Sequence, residues 1–207
     1  MNNIKKVTIF DKNYPKLLRQ IYDPPQVLYY KGEILPSDEN AIAIVGSRNM
    51  SRYGQNVTEQ FTKFLVRAGL TIISGLAKGV DKQAHLSAIE NKGRTIAVLG
   101  SGLNHIYPYE NKDLAQEIIK CGALISEFPP DCPPLPGNFP LRNRIIAGLS
   151  RAVLITEAAQ KSGSLITARL AVEAGKEVFV VPGSSNDLIE KGAKAVFHPE
   201  EILEELR

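Results

Sequence analysis

Short runs of valine, isoleucine, leucine and alanine recur along this chain, and each gives way at once to small, polar or charged residues. Six carry the pattern: Ala41–Val45 into Gly46-Ser47-Arg48, Thr71–Ile73 into Ser74-Gly75, Thr95–Leu99 into Gly100-Ser101-Gly102, Ala123–Ile125 into Ser126-Glu127, Ala152–Ile155 into Thr156-Glu157, and Glu177–Val181 into Pro182-Gly183-Ser184. Runs this short and without alternation suit strands buried on both faces, as in a parallel sheet covered by helices. The stretches between them supply the helices. Val57, Phe61, Phe64, Leu65 and Ala68 share one face after the first run, and Leu114, Ile118 and Ile119 do so after the third. Residues 164–174 are nearly all apolar, as for a helix buried between the sheet and a neighbour. A strand near Ala195–Phe197 and a helix over Pro199–Leu206 close the chain. The expectation is a doubly wound α/β fold, its mostly parallel sheet flanked by helices on both faces. In such sheets ligands sit outside the carboxyl ends of the strands, which is where this chain places its unusual residues.

Residues 1–40 read as a lead-in segment packed on the core, and 41–207 as the main domain. A short helical stretch around Tyr14–Gln20 precedes Asp23-Pro24-Pro25, and the apolar run Val27–Tyr30 is stopped by Gly32. Prolines deny that run a helix, so it is expected as an edge strand. A second irregular stretch, Phe128–Leu141, is stiffened by proline and leads into Arg142-Asn143-Arg144. Long loops held rigid are candidate ligand surfaces. With 207 residues, 43% of them hydrophobic, the chain can bury one substantial core. No apolar run nears the ~20 residues that a membrane span needs. The first residues show no export signal, and Cys121 and Cys132 match no zinc or redox spacing. A cytoplasmic protein without membrane contact or metal is expected. A net charge of +3 is too small to mark a polyanion binder, so any such site must be local.

The turn after the first run decides the class of ligand. A dinucleotide site needs G-x-G-x-x-G there, so that backbone can approach the pyrophosphate. The chain has Gly46-Ser47-Arg48-Asn49-Met50-Ser51 instead, with Arg48 at the second glycine's place. The second run ends in Ser74-Gly75, where an acid would take the ribose hydroxyls. No G-x-x-x-x-G-K-[ST] loop occurs either. Phosphate chemistry survives in another form. Gly46 permits a tight turn, Ser47 and Ser51 offer hydroxyls, Arg48 supplies a bidentate cation, and the following helix start supplies amides. Lys161 and Ser162-Gly163-Ser164 open a second helix with similar resources. Phe139, three residues before Arg142 and with Arg144 close behind, pairs an aromatic platform with phosphate clamps of the kind used on single strands. Each motif has a plainer reading: Ser51 and Ser162 as helix caps, Arg144 in an internal pair, Phe139 in the core. Asp81 and His85, four apart on one helical face, and Glu157 are candidate acid–base groups. Without a nucleophile or metal cluster beside them, a helix-start acid and a packed histidine are the plainer reading, and no catalytic residue is assigned.

Together these segments resemble the DprA/Smf DNA-processing family. The resemblance is carried by Ile44-Val45-Gly46-Ser47-Arg48, Ser74-Gly75-Leu76-Ala77-Lys78-Gly79-Val80-Asp81, Ile96–Gly100 and Ile106-Tyr107-Pro108. It continues through Leu124-Ile125-Ser126-Glu127, Phe139–Ser150 and Ser162–Ala168, and covers about residues 14–197 in order. It implies a Rossmann-like core without the winged-helix domain, no cofactor and no catalysis. The implied function is sequence-independent binding and protection of single-stranded DNA, with loading of a RecA-type recombinase in natural transformation, by a homodimer. It implies a DNA site at Gly46, Ser47 and Arg48, at Phe139, Arg142, Asn143 and Arg144, and at Ser162, Gly163 and Ser164. Lys78, Gly79, Lys161 and Thr167 are further candidates from the same comparison. Arg48 and Arg142 are then both expected to be replaceable by alanine at a loss of binding alone. Two features depart from the family pattern: the loop at 182–187 is shorter, and Pro136 stands where some members carry a lysine. Two other functions use the same residues. Nucleoside-monophosphate phosphoribohydrolases on a related fold carry P-G-G-x-G-T-x-x-E, of which Glu157 and Ser162-Gly163-Ser164 are a partial echo. A nucleotide sensor would use the anion sites without turnover.

Overall fold

The computed structural model describes residues 3–159, 162–183, 186–190 and 192–206. The strands are β1 (Lys5–Thr8), β2 (Val27–Gly32), β3 (Ala41–Val45), β4 (Thr71–Ser74), β5 (Thr95–Val98), β6 (Ala123–Ser126), β7 (Ala152–Ile155), β8 (Glu177–Val180) and β9 (Lys194–Ala195). The helices are α1 (Lys16–Arg19), α2 (Arg52–Arg67), α3 (Val80–Glu90), α4 (Lys112–Cys121), α5 (Asn138–Leu149), α6 (Gly163–Glu173), α7 (Asn186–Glu190) and α8 (Pro199–Glu205). All six apolar runs are strands, β3 to β8. They join one sheet in the order β1-β2-β6-β5-β4-β3-β7-β8-β9. From β6 across to β9 every pairing is parallel. The chain winds outward from β3 through β4 and β5 to β6, then returns to the other flank of β3 with β7. Strand order therefore reverses between β3 and β7, and such a reversal opens a crevice at the carboxyl ends.

The lack of alternation in the strands has the expected cause: both faces are covered. Ala41, Ala43 and Val45 pack with Leu18 of α1, Ile145 and Ile146 of α5, and Ala168 and Ala171 of α6. Ile42 and Ile44 face the other way, among Phe61 and Leu65 of α2, Val80 and Ala84 of α3, and Ile202 of α8. Farther along that face, Ala97 and Leu124 meet Leu114 and Ile118 of α4.

Three expectations change. Val27–Tyr30 is no edge strand: β2 is hydrogen-bonded antiparallel to β6 on one side and β1 on the other. The edge is β1, whose exposed Lys5 and Lys6 are the charged residues that protect an open edge from further pairing. Phe139–Arg144 does not end a loop but lies in α5. Pro140 is tolerated there because it falls in the first turn, whose amides have no partner within the helix. Finally, α6 is not sandwiched. Ser164, Thr167, Ala168 and Ala171 are buried and Leu165 and Leu170 pack half-buried against the same core, while Val172 stands 65% exposed and Arg169 pairs with Glu173 at 3.4 Å.

Candidate functional site

At the reversal, the carboxyl ends of β3 and β7 part and a cleft of about 780 Å³ opens, within the range typical of ligand sites. Residues within 45–49, 134–146, 157–159 and 162–167 line it, joined by Ala77, Asp81 and Tyr107. The β3 turn is fixed by its neighbours. Ser47 donates its amide to the Glu157 carbonyl at 2.7 Å, and its own carbonyl accepts from Val80 N at 3.1 Å. Gly46 is required by that approach, since a Cβ there would lie 2.5 Å from the Glu157 oxygen. Gly79, at φ 71°, starts α3 against the Ser47 carbonyl and sits behind the cleft. Ser47 is buried, its hydroxyl accepting from Asn49 N. Arg48 stands exposed on the cleft wall.

The start of α2 already has partners within the protein. Ser51 caps the helix by accepting from Gly54 N at 3.1 Å. Its amide and hydroxyl both donate to the Glu157 carboxylate, the hydroxyl at 2.7 Å. A carboxylate of the protein thus already satisfies this helix start, as an acid does at a capped N-terminus. Of the two readings of Ser51 the structure takes the helix cap, and the Glu157 carboxylate is engaged by it.

Arg142 is the buried cation of the site. Its side chain runs from α5 under the cleft, only 4% exposed, and Nη1 donates to the Val98 carbonyl at 2.9 Å. Its Nε is buried without a hydrogen-bond partner. Gly75 makes room: a Cβ there would lie 1.7 Å from Nη1. The missing acid after the second run therefore has a physical reason, for a side chain at that position would displace the guanidinium. Burial pulls the Arg142 pKa down to about 10, with Asp81 opposing and Arg48 adding to the shift, so it stays cationic at neutral pH. Asp81 accepts from the amides of Gly75 and Ala77. Burial raises its pKa, and the Arg142 guanidinium and those amides act against the rise. Removing Arg142 would take a favourable positive charge from this buried carboxylate and leave it only its amide donors, so Arg142→Ala is expected to cost stability as well as binding, not binding alone. His85 lies behind Asp81, fully buried. The Thr95 hydroxyl spends its hydrogen on the Ile72 carbonyl, so His85 Nδ1 must donate to Thr95 Oγ1, at 2.7 Å. Burial, then the charge of Arg142, pushes the imidazole pKa down to about 3. It is neutral and away from the cleft lining, not one half of an acid–base pair.

The opposite wall is the start of α6. Ser162, Gly163, Ser164 and Thr167 all line the cleft, Ser162 and Ser164 share a short hydroxyl contact, and Asn143 Nδ2 donates to the Gly163 carbonyl at 3.3 Å. Asn143 thereby holds α5 and α6 in register. Phe139 lies at the mouth, packed over Gly100, with the ring of Tyr107 tilted against it at 5.4 Å between centroids. Tyr107 was not picked out as a ligand contact. Its signal was its place just beyond the carboxyl end of β5, with a ring 49% exposed.

Besides Gly79, two expected residues are not brought to the cleft. Arg144 turns away, pairing with both carboxylate oxygens of Glu127 at 2.6 and 2.7 Å and with Asp23 at 3.1 Å. Two residues apart on α5, the two arginines lie about 200° from one another around the helix axis and so point to opposite faces. Lys78 is exposed and pairs with Glu110 at 2.5 Å. Lys161 lies outside the described residues, as do Ser184 and Ser185 of the 182–187 loop. Among the described residues no cluster of metal-binding side chains occurs, and no helix is long and apolar enough to cross a membrane.

Comparison with known proteins gives this geometry its family. Residues 5–207 match the family model for DNA recombination-mediator protein A. The chain is 48% identical over 212 residues to the DNA processing protein DprA of Bacillus subtilis, covering 98% of this chain and 71% of that one. Of other curated relatives it spans about half the length. Among solved structures, the DNA processing protein A of Streptococcus pneumoniae superposes with a TM-score of 0.93 at 42% identity, over 98% of this chain and 74% of that one. The Helicobacter pylori protein, whose structure is described in terms of its single-stranded DNA binding mode, gives 0.88 at 34% identity, over 98% and 95%. The chain is a member of the DprA/Smf DNA-processing family, with the Rossmann-like core expected of it.

Proposed function

We propose that the cleft binds single-stranded DNA without sequence preference, Arg48, Arg142 and the α6 start contacting phosphates while Phe139 stacks on a base. The observation that carries this is the convergence of a buried, under-partnered guanidinium, an exposed arginine and an aromatic pair on one crevice. Cations with stacking surfaces are what unpaired strands require, because every base offers a π-face and every linkage a charge. Gly46, Ser47, Asn143, Gly163, Ser164 and Thr167 shape the walls. Arg144 and Lys78 are not part of this cleft contact. The single-stranded DNA binding described for the Helicobacter pylori relative supports the same reading. A phosphoribohydrolase activity is less favoured, because Glu157 is engaged by Ser51.

The wider role we propose, which membership of the family supports, is that of a cytoplasmic, non-catalytic mediator that shields single strands and passes them to a RecA-type recombinase, acting as a homodimer. The test is fluorescence anisotropy with single-stranded oligonucleotides and duplex controls. Arg48→Ala should weaken binding about 10- to 100-fold, the worth of a charge-assisted hydrogen bond of about 1.5–3 kcal/mol. Affinity should fall with salt at a log–log slope of about −0.7 per phosphate contacted. Equal affinity for single strand and duplex, or an Arg48→Ala protein that binds like wild type, would overturn the reading.

A further inference from the structure

We propose that Tyr109, with Lys78 and Lys112, forms a second single-strand contact outside the cleft, joined to it by Tyr107 of the cleft lining, a stacking step that carries a bound strand onward past the carboxyl end of β5. This rests on the reading of the cleft as a single-strand site and extends it to a surface that the cleft does not include. Tyr109 is 76% exposed in the helical turn Tyr109–Asn111. It lies two residues beyond Tyr107, whose ring already leans on Phe139 at the cleft mouth. Single exposed apolar residues need no explanation, but here two exposed tyrosines continue an aromatic line that begins inside a binding cleft.

Cations accompany that line. Lys112 Nζ lies 5.6 Å from the centre of the Tyr109 ring, a cation–π contact that holds the ring in place and leaves its other face to solvent. Lys78 Nζ sits on Glu110 at 2.5 Å and is close enough for Tyr107 to raise its pKa along with Glu110. A surface that sets a cation beside each ring, Lys78 near Tyr107 and Lys112 on Tyr109, offers a nucleotide a stacking face and a counter-charge. It also discriminates, since a base paired in a duplex has no free face to give Tyr109. Lys78, which the cleft leaves out, finds its use here. The pairing with Glu110 keeps its ammonium on this surface until a phosphate competes for it.

The experiment compares two oligothymidylates on the full 207-residue protein, one just long enough for the cleft and one several times longer. Tyr109→Ala should lower affinity for the long probe about 5- to 100-fold, the range for one stacked base, and leave the short probe unchanged. Tyr109→Phe should restore the long-probe affinity and Tyr109→Leu should not, a pattern that loss of fold cannot produce. The chain contains no tryptophan, so tyrosine emission is a direct readout. The long probe should quench it in wild type, and Tyr109→Phe should remove part of that quenching while keeping affinity. Should Tyr109→Ala bind both probes as wild type does, while Arg48→Ala binds neither well, the outer contact falls and the cleft stands. If wild type binds neither probe, both fall together.

Discussion

Arg48 and Arg142 line the same cleft with the same functional group, yet their energetic standing is opposite. Arg48 is exposed, and exposed side chains without special partners change stability by less than about 0.5 kcal/mol when truncated. Arg142 supplies a buried charge that favours the Asp81 carboxylate, and a buried polar group that loses its partner costs about 1–3 kcal/mol. Arg142→Ala should therefore lower the melting temperature by several degrees, at about 2–4 °C per kcal/mol for a chain this size. Arg48→Ala should leave it unmoved. Thermal denaturation of the two variants separates them, and equal melting temperatures would mean that Asp81 needs no counter-charge. His85 gives a pH prediction. Its pKa is depressed in the folded state, so its contribution is present above the unfolded value near 6.5 and is lost as pH falls toward about 3. Across that window the unfolded chain gains a proton that the native one refuses, and stability drops by up to about 1.4 kcal/mol per pH unit. Asp81, with its pKa raised, works in the reverse sense at the acid end. Urea denaturation between pH 7 and pH 5 should show a steeper loss in wild type than in His85→Gln. Identical slopes would show that the imidazole is solvated. At this scale the sequence disclosed which residue types mattered but not their burial, because Arg142 and Arg144 read alike until α5 turns one inward and the other onto Glu127.

The start of α2 is held twice, by the Ser51 hydroxyl and by the carboxylate of Glu157 arriving from the end of β7. Ser51→Ala should cost about 1–2 kcal/mol, the upper range for a cap, and leave DNA affinity intact, since that hydroxyl faces no ligand. A variant with weakened binding and unchanged stability would place Ser51 in contact with DNA instead. Elements were legible where pattern and environment agree. Strands β3 to β8 announced themselves because burial on both faces demands unbroken apolar runs. The helix α5 did not, because its first turn contains Pro140, and proline in a first turn looks like a loop. Strand β1 was silent because an edge protected by Lys5 and Lys6 has little hydrophobic signal to give. The facing of α6 was overread, since an apolar helix of 11 residues can still leave a residue such as Val172 to solvent.

Seen whole, the sheet depends on the segment that precedes its parallel half. β2 covers the edge of β6, and Leu18 and Leu28 are completely buried against that half. Leu18→Ala should cost about 2–5 kcal/mol, as buried leucines do, which guanidinium denaturation can check. A cost under 1 kcal/mol would mean that α1 docks only loosely. The modest net charge of +3 cannot steer a polyanion from a distance. The salt response should then reflect only the few phosphates gripped at the cleft and along its rim. The seated carboxylate of Glu157 has one more consequence. On the proposed reading, an incoming strand meets one helix start already holding an acid and a facing one that offers the hydroxyls of Ser162 and Ser164. The two sides of the groove are thus unequal before any guest arrives, and a polymer whose two ends differ has reason to lie in it one way round.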